Sequence, residues 1–141
     1  MDEWERRRGR VTVLTPHEGE FLRVGGDLSQ GRTAAAEDFA RRSGAVVVLK
    51  GPGTVVAGPD GRCRVNTTGN CGMAKGGSGD VLSGVVLALL GLGMDAFDAC
   101  CCAVWLHGRA GDLAAQEKGQ WGMTPTDILE RLPQALREVT E

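Results

Sequence analysis

Four small residues and an acid, Gly76-Gly77-Ser78-Gly79-Asp80, run straight into an apolar stretch that begins at Val81. At the start of a helix, side chains this small leave successive backbone N–H groups uncovered at the positive end of the helix dipole. Such a nest holds a phosphate without any side-chain charge. Other glycine motifs fail here. No Gly-Lys-Ser/Thr closes the loop, so it is not a Walker A sequence. A nucleophile elbow needs G-x-S-x-G, and Asp80 stands where the last glycine belongs. No G-x-G-x-x-G register fits either, since counting from Gly77 or Gly79 reaches no third glycine.

Asp80 has an ordinary role open to it, because an acid in a first helical turn contributes ~0.3–1 kcal/mol. Beside an anion nest, however, a carboxylate repels the phosphate that the nest attracts. The pairing makes sense if the carboxylate faces a hydroxyl about to be phosphorylated. It can then accept that proton late in a loose transition state.

The remaining reactive residue types carry less. Five cysteines are an odd number, and Cys100, Cys101 and Cys102 are consecutive, so on a helix they point about 100° apart. Cys63 and Cys71 are eight apart, no C-x-x-C occurs, and His17 and His107 are the only histidines. That is no zinc spacing. These residues read as buried or half-buried thiols in a reducing cytoplasm. His107, on a helix beside Trp105 and Leu106, reads as packed, and Arg6-Arg7-Arg8 as a solvated start of chain.

The elements that must position the nest belong to an α/β chain. Its 141 residues suit one domain, expected over residues 1–141. Glycine supplies 22 of them, about 16% against roughly 7% on average. With no collagen period, that load serves turns and close backbone approaches. A net charge of −2 and 4% aromatics supply neither a basic field nor a stacking platform for nucleic acid. The charged N-terminus is no export signal, and the apolar stretch Val81–Met94 is too short to span a bilayer.

Val11–Leu14 and Ala45–Leu49 read as strands, the second covered on both faces. Thr54–Ala57 and Arg62–Val65 read as two more, joined by the turn Gly58-Pro59-Asp60-Gly61. Pro16 suits the first turn of a short helix through Glu18, Glu20, Phe21 and Leu22 that ends at Gly25-Gly26. Arg32–Arg42 is helical by its spacing, ending at Ser43-Gly44. Val81–Leu90, apolar at nearly every position, predicts a helix buried on most sides. Helices follow over about Asp95–Glu117 and Thr126–Glu138, the last opened by Thr124-Pro125 and broken at Pro133.

The run Asn66-Thr-Thr-Gly-Asn-Cys-Gly-Met-Ala-Lys-Gly-Gly-Ser-Gly-Asp-Val-Leu-Ser-Gly84 resembles the signature of the ADP-dependent NAD(P)H-hydrate dehydratases. Three further stretches are similar to that family in the same order. They are Thr15-Pro-His-Glu-Gly-Glu20, Lys50-Gly-Pro-Gly-Thr54 and Ala103–Asp112 with Gly122-Met123. The resemblance implies the C-terminal half of a ribokinase-like three-layer α/β/α fold, since Thr15-Pro16-His17 lies near the middle of the family's domain.

It also implies roles. Gly76, Gly77, Ser78 and Gly79 would hold the phosphates of ADP or ATP as co-substrate, with Mg2+. Lys50, Gly51, Pro52, Gly53 and Thr54 would contact the AMP part. His17 and Asp80 would face the hydrated nicotinamide of NAD(P)HX, Asp80 as the base. Phosphorylation of the 6-hydroxyl and departure of phosphate would then restore NADH or NADPH. A homo-oligomer in the cytoplasm is the expected setting. Two alternatives stay open: a nucleotide-binding remnant or assembly module without turnover, and a small-molecule kinase of the same superfamily.

Overall fold

A computed structural model describes residues 3–141, in two compact units. Met1 and Asp2, part of the charged start read from the sequence, lie outside the described residues. The first unit comprises the chain to Asn66 together with Asp95–Cys101, and the second comprises Thr67–Met94 and Cys102–Glu141.

The strands are all in the first unit. Val13–Leu14 (β1) pairs in parallel with Val46–Leu49 (β2), Val13 lying opposite Val46. β2 pairs antiparallel with Val55–Ala57 (β3), and β3 with Cys63–Val65 (β4), giving the order β1-β2-β3-β4. Every residue of β2 and β3 is buried, as their unbroken apolar sequences require. Between Glu18–Arg23 (α1) and β2 comes Arg32–Ser43 (α2), which packs on β2 and β3. Ala36, Phe39 and Ala40 of α2 join Phe21, Val47, Leu49 and Ala57 in one core. The Phe21 and Phe39 rings meet at 5.3 Å, a contact worth ~0.5–1.5 kcal/mol beyond the area it buries. Gly44 ends α2 at φ 72° and returns its N–H to the Ala40 carbonyl at 2.9 Å, a conformation that favours glycine.

Pro16 stands one residue before the cap of α1, not in its first turn. Its carbonyl accepts the Lys50 N–H at 2.9 Å, so the chain is still extended there and the helix starts only after it. His17 is the cap. Its Nδ1 accepts from the Glu20 N–H at 3.2 Å, and the Glu20 carboxylate accepts the His17 N–H at 2.9 Å. That bond holds the Glu20 carboxyl below its ordinary range.

The second unit is helical: Ser78–Gly91 (α3), most of Ala96–Gly122 (α4) and Pro125–Thr140 (α5). Leu106, Ala110 and Leu113 of α4 meet Met123 and the α5 residues Ile128 and Ala135 in its core. α4 runs past the expected Glu117, with a non-helical break at Gly119 (φ 73°, ψ 160°). Thr124 caps α5 reciprocally with Asp127, and Pro125 follows at its first position.

Three other sequence expectations are corrected. Pro133 does not break α5, which continues through it. The proline is exposed, and the buried Ile128 and Ala135 on either side of it hold the helix to its core. α3 is not buried on most sides. Only Ser78, Leu82 and Val86 are buried, at a four-residue spacing, and Leu87 is 70% exposed. Its all-apolar sequence therefore hides a single stripe. Of the thiols, Cys71 is exposed, whereas Cys100 is buried and Cys63, Cys101 and Cys102 are half-buried. Burial pushes the Cys100 thiol up to about 12, which leaves it unreactive at neutral pH.

Candidate functional site

Gly77, at φ 95° and ψ −18°, caps α3 in a left-handed conformation that a side chain would strain. The preceding turn closes through the Ser78 N–H and the Lys75 carbonyl at 3.2 Å. The first bond belonging to α3 runs from Val81 N–H to the Gly77 carbonyl. The amides of Gly79 and Asp80 thus come too early for an intrahelical partner. Gly76, Gly77 and Asp80 are exposed, Gly79 is half-buried and Ser78 is buried. Gly76 and Gly77 lead into the helix, and Ser78, Gly79 and Asp80 form its first turn, earlier than the Val81 start read from the sequence.

That start is fixed from α4. His107 Nε2 lies 3.0 Å from the Ser78 carbonyl and 3.3 Å from its hydroxyl. Lys75 Nζ donates to the carbonyls of Trp121 at 3.1 Å and of Met123, with Gln120 at 3.4 Å. An ammonium has three donors and no acceptor, and here it gathers the carbonyls left over at the end of α4. The loop before the nest is held by Asp112, whose two carboxylate oxygens accept from the Gly69 N–H at 3.1 Å and the Asn70 amide at 2.9 Å. Thr68 donates to the Trp105 carbonyl at 3.0 Å.

Two α4 glycines make room for this loop. A Cβ at Gly108 would fall 2.7 Å from the Thr68 carbonyl carbon, and one at Gly111 would fall 2.7 Å from the Met73 methyl. His107, Gly108, Gly111 and Asp112 are spaced i, i+1, i+4 and i+5, which is one face of a helix. The packed role read for His107 is therefore incomplete. Its ring anchors the buried serine of the nest, and that four-residue face was the signal in the sequence that pointed to it.

In the first unit, His17 and Lys50 form an isolated parallel bridge, so the capping histidine and the lysine just after β2 are brought together. Gly51, Pro52, Gly53 and Thr54 make the turn to β3, with the Thr54 hydroxyl on the Gly51 carbonyl at 3.1 Å. Gly53 turns at φ 66°. His17 is about half exposed, Gly51, Pro52 and Gly53 are open, and Lys50 and Thr54 are half-buried. Arg32, which the sequence did not single out, donates to this turn at Pro52 and Gly53.

No group of three or more His, Cys, Asp or Glu among the described residues is placed to hold a metal ion. Among them, too, no helix is long and apolar enough to cross a membrane.

The family profile described as NAD(P)H-hydrate dehydratase matches residues 2–134. A bifunctional NAD(P)H-hydrate repair enzyme of Thermofilum pendens is 47% identical over 99% of this chain and 27% of its own length. The ADP-dependent (S)-NAD(P)H-hydrate dehydratase of Bacillus subtilis is 40% identical over 92% of this chain and 48% of its own. Among solved structures, an ADP/ATP-dependent NAD(P)H-hydrate dehydratase from Bacillus subtilis, co-crystallized with ATP/Mg2+, superposes with a TM-score of 0.87 at 38% identity. It covers 93% of this chain and 49% of that one. A ribokinase-like superfamily protein from Enterococcus faecalis superposes at 0.79 with 31% identity. This chain spans about a quarter to a half of the length of these curated relatives.

Proposed function

The chain belongs to the NAD(P)H-hydrate dehydratase family, and from that premise we propose that it takes part in the nucleotide-dependent dehydration of NAD(P)HX to NAD(P)H. The observation that carries this reading is the open start of α3, with an exposed carboxylate at its third position. ADP or ATP would lay its phosphates over Gly76, Gly77, Ser78 and Gly79, where amides and dipole favour anions. Lys50, Gly51, Pro52, Gly53 and Thr54 would take the AMP part, and His17 would contact the hydrate.

The chemistry then divides into two balanced steps. The hydrate's 6-hydroxyl oxygen attacks the terminal phosphoryl group, the bridging P–O bond breaks toward the nucleotide, and Asp80 takes the hydroxyl proton. The C6–O bond next breaks with phosphate as the leaving group, and loss of the C5 proton leaves the ring double bond of NAD(P)H. Hydroxide leaves poorly and phosphate leaves well, which explains a dehydratase built on a kinase fold. With ADP the other products are AMP and phosphate.

Magnesium commonly binds through one or two carboxylates plus substrate phosphates. The described residues fit such an ion only as one carried by the nucleotide, with Asp80 the single carboxylate at the nest. Bound there, it would offset phosphate charge.

The direct test is nucleotide titration of wild type against Gly79→Val. A branched side chain covers the amides, and affinity for ADP should fall by about tenfold or more, the loss of one or two charge-assisted hydrogen bonds. Unchanged affinity would remove the phosphate assignment.

A further inference from the structure

Arg32 opens α2, far in sequence from either glycine-rich segment, yet three carbonyls of the Lys50–Thr54 turn and its approach converge on its side chain. Nη1 donates to Pro52 at 2.6 Å and to Gly53 at 3.2 Å, and Nη2 donates to Leu49 at 3.1 Å. Nε lies 3.0 Å from a Glu18 carboxylate oxygen, but out of line for a hydrogen bond, so that contact is an ion pair only. A Cβ at Gly51 would fall 2.7 Å from Nη2. A side chain at Gly51 would thus crowd the guanidinium in this position.

Glu18 is the first residue of α1, directly after the cap His17. One planar cation therefore spans the start of the His17 helix and the turn after β2. Only a guanidinium can do so, because its five donors lie in a fixed fork while an ammonium is a point charge. The turn is otherwise held toward its ends, by the backbone bridge to His17 at Lys50 and at Thr54 by a hydroxyl bond to the Gly51 carbonyl and a carbonyl that accepts the Asn66 N–H at 2.8 Å.

We propose that Arg32 is a positioning residue: it holds the Lys50–Thr54 turn in the shape that receives the nucleotide and ties that turn, through Glu18, to the helix that carries His17. The inference rests on the assignment of this turn to nucleotide. Arg32 is not placed in a catalytic role: three of its five donors go to carbonyls of the turn and its approach, and Nε faces the Glu18 carboxylate.

The test compares Arg32→Ala and Arg32→Lys with wild type in ADP titration, in KM and kcat, and in thermal melting. Arg32→Ala should raise the Kd and KM for ADP by about tenfold, with kcat at saturating ADP within about twofold. Arg32→Lys should recover little of this, because its charge is kept and its fork is lost. If Arg32→Ala does not fold, Arg32→Lys carries the test alone. A KM for ADP within twofold of wild type in the lysine variant overturns the proposal. So does a fall in kcat and melting temperature with KM unmoved, the pattern of a purely structural residue. If Gly79→Val loses ADP while both Arg32 variants keep it, this proposal fails and the functional reading stands. If wild type itself takes up no ADP, both fall.

Discussion

Asp80 is where electrostatics and chemistry pull in opposite directions. A carboxylate one residue from the Gly79 amide would lower the affinity of the helix start for phosphate, yet on the proposed reading it is the group that receives the hydroxyl proton. The two effects separate in one substitution. Asp80→Asn keeps the shape, removes the repulsion and removes the proton acceptor. It should lower kcat for NAD(P)HX by ~10²–10⁴, the usual worth of a positioned general base, while nucleotide affinity holds or tightens. Steady-state kinetics beside ADP titration would show the split. Near-normal turnover would return Asp80 to the role of a helix-start acid. His107 belongs to the same scale: its Nε2 meets Ser78 of the helix start, so on the proposed reading it would act on phosphate through the backbone it holds.

At the scale of elements, α4 is the shelf on which the glycine-rich loop rests, and glycine is there for space, not flexibility. Gly108 illustrates which force wins. Alanine in a helix interior is favoured over glycine by roughly 0.8–1 kcal/mol, so propensity alone predicts that Gly108→Ala stabilises α4. Its Cβ would meet the Thr68 backbone at 2.7 Å, and overpacking of that kind costs typically 1–3 kcal/mol. The variant should melt below wild type and bind ADP more weakly, because the loop that leads into the nest is displaced. A rise in melting temperature with unchanged affinity would refute the shelf. Strand and helix placement were legible in the sequence wherever apolar period and turn chemistry agreed, as for Ala45–Leu49, observed as Val46–Leu49, and Arg32–Arg42, observed as Arg32–Ser43. The glycine-rich start of α3 was legible because its small residues adjoin an apolar helix. Contacts at long sequence separation left no such trace. Arg32 reaches a turn about twenty residues on, and Lys75 reaches carbonyls some forty-five residues away. The single buried stripe of α3 was hidden for a different reason, since a helix apolar at nearly every position has no period to read.

At the scale of the whole molecule, the decisive quantity is apolar surface left in water. Leu87 of α3 is 70% exposed, Leu92 just after it 79%, and Trp121 99%. Leu129 and Val139 of α5 are each a little over half exposed. One exposed hydrophobic needs no explanation, whereas five this large, on or beside α3, α4 and α5, leave much apolar surface for a partner to cover. The sheet adds two edge strands, β1 and β4, and edge strands are the usual sites of pairing with another chain. Fully burying one leucine-sized side chain is worth roughly 1.5–3 kcal/mol, so covering even part of this surface would favour association at micromolar concentration. The 141-residue chain should therefore self-associate, and light scattering across a dilution series should give a mass above 14.8 kDa that falls on dilution. Replacing Leu87 and Leu92 with lysine should shift that curve toward monomer with little loss of fold, both side chains being already in water. A sharply melting monomer at low micromolar concentration in the unaltered chain would show that these apolar residues need no cover.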